Sequence, residues 1–161
     1  MDVLTAHKMV NMNFYPTCPN PDLTVGAGRH SDMGLLTILL QDGISGLYVK
    51  LEQEEPENEG EWMEIPPVPG ALVINVGDIL QILSNGRYKS AEHRVRTTST
   101  QSRVSIPMFT HPQSTEKIGP LPEVVERDGV ARYRELIVED YVNYFFEKSR
   151  KGKKSLDFAR I

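Results

Sequence analysis

The sequence predicts a mainly β domain in which many short strands build a sandwich or a barrel. Apolar residues come in short runs rich in Leu, Ile and Val, and Gly, Pro, Asn or acidic residues separate the runs. This punctuation is typical of strands joined by turns. The predicted strands are residues 8–15, 35–40, 47–50, 62–65, 71–76, 93–96 and 103–108. Helical spacing occurs in two segments, so helices are a minor part of the fold.

The predicted helices lie at residues 77–84 and 134–151. In the first, "GDILQILS", we expect Asp78 to be the N-cap of a short apolar helix. In the second, "RELIVEDYVNYFFEKSRK", apolar residues recur at helical spacing. The acidic stretch at 51–61 has too few apolar residues for burial and predicts an exposed loop. The Pro-rich stretch at 112–123 predicts a connection before the last helix.

Length and charge indicate a single domain, residues 1–161, with an ordinary globular core. The formal net charge is −4, and this balance argues against a surface for nucleic acid, which needs clustered Lys and Arg. Five basic residues fall between positions 148 and 154. A short basic run near a terminus is typical of a solvated chain end.

A single cysteine, Cys18, excludes an internal disulfide and a cysteine-based zinc site. The first residues, "MDVLTAHKMVNMNFYP", contain no apolar signal segment, and the longest apolar run is too short to span a bilayer. We therefore expect a monomeric, cytoplasmic protein without a membrane segment.

"GRHSDMG", residues 28–34, is the first candidate for chemistry. Side chains two apart on an extended strand point to the same face, so His30 and Asp32 would project together while Ser31 turns away. A third ligand is best supplied by His93, beside a predicted strand, rather than by His111 or by His7 near the N-terminus. Two imidazoles and a carboxylate form the facial triad of non-haem Fe(II) oxygenases. The alternative is a hydrogen-bonded surface pair.

"QSRVSIPMF", residues 101–109, repeats the spacing of two with Arg103 and Ser105 on a predicted strand, while Val104 and Ile106 face the other way. A guanidinium that points into a barrel requires an anion, and a carboxylate fits its planar fork. The alternative is an exposed arginine on an edge strand.

Together the motifs resemble the catalytic domain of the plant iron(II)/2-oxoglutarate-dependent dioxygenases. "NFYP", "GRHSDMG", "SAEHRV" and "SRVSIP" occur in the family's order, and the similarity runs from Asn11 to the end. The stretches "GDILQILSNGRYKSAEHRV" and "GKKSLDFARI" most resemble feruloyl-CoA ortho-hydroxylases of coumarin biosynthesis and relatives that hydroxylate scopoletin. The resemblance implies a double-stranded β-helix, or jelly roll, with a short helix and a C-terminal helix.

The resemblance also implies roles for eight residues. It implies iron ligation by His30, Asp32 and His93, binding of the distal carboxylate of 2-oxoglutarate by Arg103, Ser105 and Tyr15, proximity to the keto-acid end for Asn13, and substrate contact for Phe109.

The implied reaction is an aromatic hydroxylation coupled to oxidative decarboxylation of 2-oxoglutarate by dioxygen, with ascorbate as a helpful reductant. The expected substrate is feruloyl-CoA, whose ortho-hydroxylated product can close to a coumarin. Arg87, Lys89 and the basic tail are expected to steer the phosphates of the thioester. Scopoletin, a flavonoid or an alkaloid is the alternative substrate. The family's helical N-terminal half has no counterpart in the sequence, so an inactive remnant is a further alternative.

Overall fold

A computed structural model describes residues 6–51, 60–148 and 153–161. Its strands in chain order are β1 (His7–Val10), β2 (Asn13–Tyr15), β3 (Ala27–His30), β4 (Leu36–Gln41), β5 (Leu47–Lys50), β6 (Trp62–Glu64), β7 (Val73–Val76), β8 (His93–Val95), β9 (Arg103–His111), β10 (Lys117–Ile118) and β11 (Leu136–Ile137). The α-helices are α1 (Asp78–Leu83), α2 (Pro122–Asp128) and α3 (Val138–Lys148), and short 3-10 helices lie at Pro21–Leu23 and Lys153–Phe158.

The larger sheet has the order β1-β9-β4-β7, with β2 also paired to β9. All of its described pairings are antiparallel. Strand β9 is long enough to pair with β4 along one edge and with both β1 and β2 along the other. This strand therefore carries Arg103 and Ser105 at the centre of the sheet.

The smaller sheet has the order β3-β8-β5-β6. Leu39 of the larger sheet and Leu47 and Val95 of the smaller sheet form one apolar cluster between the two. From β6 to β9, successive strands alternate between the smaller and the larger sheet. This alternation is the arrangement of a double-stranded β-helix, and the predicted mainly β class is confirmed.

A second apolar cluster lies around α1. Ile79 and Ile82 of α1 are fully buried and pack with Tyr141 of α3 and with Leu156 of the C-terminal 3-10 helix. The cluster joins the last quarter of the chain to the end of the barrel at which α1 begins.

Several predicted boundaries differ from those of the structure. The predicted strand at 8–15 is divided into β1 and β2 because Pro107, which would pair with Asn11, has no N–H to continue the ladder. The helix α2 inside the Pro-rich connection and the strand β10 were not predicted. The extended strand assumed for His30 and Asp32 is β3, but it ends at His30 and Asp32 lies in the following loop. His7, near the N-terminus, lies in β1 and is paired with His111.

The last helix begins at Val138 rather than at residue 134. Leu136 and Ile137 instead form β11, which pairs with β10, and Ile118 of β10 is almost completely buried. Burial against a partner strand overrides the helical spacing of these two residues. The predicted acidic loop and basic tail fall largely at 52–59 and 149–152, outside the described residues.

The prediction that Asp78 is an N-cap is wrong. Gly77, with extended backbone dihedrals, is the N-cap of α1, and no side chain caps this end. Asp78 is the first helical residue, and its side chain is fully buried. No helix among the described residues is long and apolar enough to cross a bilayer.

Candidate metal centre and anion site

The three predicted metal ligands lie together at the end of the smaller sheet where β3 ends and β8 begins. His30 is the last residue of β3, Asp32 follows two residues later, and His93 is the first residue of β8. Oδ1 of Asp32 lies 3.8 Å from Nε2 of His30 and 3.6 Å from Nε2 of His93. One ligand atom from each of the three lies within 4.8 Å of the others. The set can therefore hold one ion and leave further coordination positions open.

Strand pairing brings the two imidazoles together. His30 and His93 are direct partners in the β3–β8 ladder, with ring centroids 4.3 Å apart. Nδ1 of His30 lies 2.7 Å from the carbonyl oxygen of Gly28, and Nδ1 of His93 lies 3.1 Å from that of Ala91. Donation from Nδ1 to a carbonyl leaves the lone pair of Nε2 for a metal.

Burial lowers the pKa of His30, and the neighbouring His93 lowers it further. Both effects favour the neutral imidazole, which is the form that binds a metal.

Two donors that the sequence did not reveal hold the carboxylate. Thr37 Oγ1 and Asn75 Nδ2 each donate to Oδ2 of Asp32 at 2.6 Å. Thr37 and Asn75 are cross-strand partners in β4 and β7. The sequence feature that could have revealed Thr37 and Asn75 is that each is a polar residue at an inward position of an otherwise apolar strand. Because both donors bind Oδ2, Oδ1 remains for a metal.

The start of α1 supports the loop that carries Asp32. The backbone N–H of Asp78 donates to the carbonyl oxygen of Asp32 at 2.7 Å, and that of Gly77 donates to Leu35 at 2.8 Å. A Cβ on Gly77 would lie 2.1 Å from the carbonyl oxygen of Gly34, so this approach requires glycine. The loop and the helix end are packed backbone to backbone.

Ser31 points away from the side chains of His30 and Asp32, as predicted, and its hydroxyl donates to Asp78 Oδ2 at 2.9 Å. Burial raises the pKa of Asp78, and hydrogen bonds from Tyr141, Ser31 and Ser155 oppose this increase. The Ser90 hydroxyl also favours the ionised carboxylate. Within the described residues, however, neither Ser90 Oγ nor Asp78 Oδ1 meets hydrogen-bond geometry.

Arg103 points inward from β9 and is only 2% exposed. Its Nε donates to the carbonyl oxygen of Ile44 at 3.2 Å, and Nη2 donates to Gln41 Oε1 at 2.8 Å. Nη1 is buried and has no hydrogen-bond partner among the described residues. Burial lowers the pKa of Arg103, yet a guanidinium stays charged at neutral pH. A buried cation with an unused N–H fits the carboxylate of a ligand, and the alternative of an exposed edge arginine is wrong.

One cavity of about 540 Å³ joins the metal ligands to Arg103. All eight predicted site residues line it: Asn13, Tyr15, His30, Asp32, His93, Arg103, Ser105 and Phe109. Asn13 and Tyr15 of β2 are cross-strand partners of Ser105 and Arg103. The His and Asp donors fit Fe(II), and the orphaned N–H of Arg103 fits an anionic co-substrate.

His111 does not line this cavity. Its ring stacks against Phe109 with centroids 6.3 Å apart, and a Cβ on Gly34 would lie 3.0 Å from it. The preference for His93 as the third ligand is consistent with this placement.

The cations expected to steer a thioester lie elsewhere. Arg87 is paired with Asp128 at 2.6 Å. Lys89 lines a separate cavity of about 300 Å³ together with Arg132 and Arg160. Among the described residues, Arg103 is the sole Lys or Arg that lines the larger cavity.

The fold and the candidate ligand set are those expected of an iron-dependent oxygenase of the jelly-roll class. The chain belongs to the 2OG-Fe(II) oxygenase superfamily, whose family model matches residues 6–112. It is 69% identical over 160 residues to a scopoletin 8-hydroxylase of Arabidopsis thaliana. The matched region covers 99% of the chain and 43% of that protein. It is 54% identical, with the same coverage, to the feruloyl CoA ortho-hydroxylase F6H1-1 of Ipomoea batatas.

A solved structure supports the fold independently. The crystal structure of JOX2 in complex with 2OG, Fe and JA superposes with a TM-score of 0.81 at 35% identity, covering 96% of the chain and 44% of JOX2. The chain therefore spans less than half the length of each of these three relatives. The predicted jelly roll is confirmed by this similarity.

Proposed function

We propose that the chain is the catalytic domain, residues 1–161, of an Fe(II)- and 2-oxoglutarate-dependent hydroxylase that acts on an aromatic metabolite. One observation carries the proposal: three metal ligands and an orphaned guanidinium N–H face the same cavity. Bound iron, with 2-oxoglutarate and dioxygen, supplies the oxidising chemistry.

His30, Asp32 and His93 hold the metal in this proposal. Arg103 binds the distal carboxylate of 2-oxoglutarate, and Ser105 and Tyr15 offer hydroxyl groups beside it. Asn13 lies near the keto-acid end. Because Gln41 and Ile44 already occupy Nη2 and Nε of Arg103, the guanidinium is fixed in orientation before the co-substrate arrives. Such preorganisation reduces the entropy that is lost on binding.

The rest of the cavity suits a flat aromatic ring. Phe109 offers a ring face, and Leu39, Val49 and Val73 line the cavity with apolar surface. Apolar walls with a few convergent polar groups are typical of small-molecule sites.

A coumarin such as scopoletin is the substrate that we propose first. The relative named for scopoletin is 69% identical to the chain, and the relative named for feruloyl CoA is 54% identical. The larger cavity also has no cation beyond Arg103 among its described lining residues to pair with coenzyme A phosphates. Feruloyl-CoA remains the second candidate because its named relative matches 99% of the chain.

Succinate release tests both proposals. The chain would be supplied with Fe(II), 2-oxoglutarate and ascorbate, and succinate would be measured with scopoletin, feruloyl-CoA, free ferulate or no addition. We expect scopoletin to stimulate release and to gain one oxygen atom. Turnover in this chain should be slow or uncoupled, and a chain of the relatives' full length should restore coupling.

Stimulation by feruloyl-CoA alone, with a product that cyclises to a coumarin, would reverse the order of the two substrates. If neither compound stimulated release in the longer chain, the substrate proposal would fail. Binding of Fe(II) and 2-oxoglutarate in that case would leave the site assignment intact.

We further propose that the chain acts as a monomer in the cytoplasm. The single cysteine is compatible with a reducing compartment. Sedimentation equilibrium tests the oligomeric state, and fractionation of the source tissue tests the location.

A further inference from the structure

The buried side chain of Asp78 joins three segments of the chain next to the predicted metal ligands. We call this cluster of hydrogen bonds the Asp78 junction. Its Oδ2 accepts three O–H donors: Tyr141 at 2.7 Å, Ser31 at 2.9 Å and Ser155 at 3.2 Å. The three come from separate parts of the chain, namely the loop after β3, the helix α3 and the C-terminal 3-10 helix. All four residues are almost completely buried.

Burial of the Asp78 carboxylate reduces the stability of the fold. The ion pairs between described side chains include none to Asp78. Three hydroxyl groups instead offset part of its lost hydration. Buried carboxylates without a cation destabilise a fold. What three hydrogen bonds to one carboxylate oxygen do provide is one fixed arrangement of the segments that meet there.

The segment that Asp78 fixes is the one that carries two metal ligands. Ser31 lies between His30 and Asp32, and its hydroxyl is held by the Asp78 side chain. The Asp78 backbone N–H is bonded to the carbonyl oxygen of Asp32 at 2.7 Å. These two hydrogen bonds hold the adjacent residues Ser31 and Asp32. A shift of Asp78 would therefore rotate the backbone from which the side chains of His30 and Asp32 project.

We infer that Asp78 is a positioning residue for the metal centre, coupling it to α3 and the C-terminal 3-10 helix. The inference rests on the proposed function, because it requires that His30 and Asp32 bind the metal. It gives the last part of the chain a role in metal binding although none of its described residues is a ligand.

Titration with Co(II), whose visible absorption reports the ligand geometry, tests the inference without turnover. The variants are Asp78→Asn, Tyr141→Phe and Ser155→Ala. The control Ile82→Val removes one methylene group from the same apolar cluster and touches none of these contacts. Thermal unfolding of every variant is recorded without metal.

We expect Asp78→Asn to weaken Co(II) binding about 10-fold and to alter the absorption bands. Contacts that orient metal ligands without binding the metal have effects of this size. Tyr141→Phe and Ser155→Ala should each weaken binding about threefold, a smaller part of the same effect. Ile82→Val should lower the unfolding temperature and leave affinity and spectrum unchanged.

Unchanged affinity and spectrum in Tyr141→Phe and Ser155→Ala would overturn the inference even if Asp78→Asn failed to fold. Weaker binding in Ile82→Val, in proportion to its lost stability, would also overturn it. A wild-type chain that bound no Co(II) would instead overturn the metal site itself. The failure of the inference and the failure of the proposed function are thus separable.

Discussion

Each side chain that faces the proposed metal position has its other polar atom bound to the protein. Nδ1 of both imidazoles meets a backbone carbonyl, and Oδ2 of Asp32 accepts from Thr37 and Asn75. Only Nε2 of each imidazole and Oδ1 of the carboxylate remain for the ion. At the scale of single residues, the site is preorganised by contacts that lie outside the ligand set.

His93→Ala is expected to abolish binding of one Fe(II) per chain, because two ligands cannot hold the ion against water. His111→Ala should retain the ion, since His111 lies outside the cavity. Anaerobic titration followed by metal analysis measures both. Full retention of iron by the His93 variant would contradict the assignment.

Asn75→Ala is expected to weaken metal binding about 10-fold, because Asp32 loses one of the two donors that orient it. Asn143→Ala is the matched control, since Asn143 is exposed on α3. Both variants would be compared by Co(II) titration. Equal affinities would mean that Thr37 alone is sufficient to hold the carboxylate.

Arg103→Lys is expected to raise the KM for 2-oxoglutarate at least about 10-fold while metal affinity is unchanged. Lysine keeps the charge but loses the planar fork, so co-substrate binding is affected first. Arg29→Lys, at a half-exposed site beside Glu92, is the control. An unchanged KM would place Arg103 outside the co-substrate site.

At the scale of elements, β4 shows how one strand serves both the core and the site. Thr37, Leu39 and Gln41 point inward, to Asp32, to the apolar cluster and to Arg103 in turn. The residues between them, Ile38 and Leu40, point outward. The period of two places three different tasks on a single face.

Leu39→Ala is expected to lower the free energy of unfolding by about 2–4 kcal/mol, because it leaves a cavity between the sheets. Leu40→Ala should change it by less than about 1 kcal/mol. The two leucines are neighbours of identical chemistry but are 9% and 48% exposed. Urea unfolding measures both, and equal losses would mean that the outer face is also covered in solution.

At the scale of the whole molecule, the outer face of the larger sheet is apolar and exposed. Phe14 of β2, Val104 of β9, Leu40 of β4 and Ile74 of β7 lie on it at 66%, 38%, 48% and 58% exposure. A contiguous apolar face is unusual for an isolated domain. The chain also spans only 43% of the two plant hydroxylases to which it is similar.

Ile74→Lys is expected to reduce the fluorescence of a dye that binds exposed apolar surface, and to change stability by less than about 0.5 kcal/mol. Val130→Lys, at an equally exposed apolar residue outside the sheets, should reduce the fluorescence less. A strongly destabilised Ile74 variant would show that this side chain is packed.

The sequence by itself predicted which residues form the candidate site. His30 and Asp32, and likewise Arg103 and Ser105, were predicted to share a face from a spacing of two, because side-chain alternation is a local property of an extended chain. The short apolar runs indicated the β class because Gly, Pro, Asn and acidic residues separate them, as turns separate strands. The order of four motifs then indicated the family, and the family model confirms it.

Tertiary structure alone decided how distant segments meet. The Thr37–Asn75 support of Asp32, the pairing of His30 with His93 and the junction at Asp78 join residues that are far apart in sequence. The local pattern around Asp78 favours a helix cap, and that of Leu136 favours a helix, yet burial against remote partners places both differently. Local spacing fixes which way a side chain points. Only the packing of the two sheets and the last helices fixes what it meets, because those contacts form between segments that carry no signal of one another in the sequence.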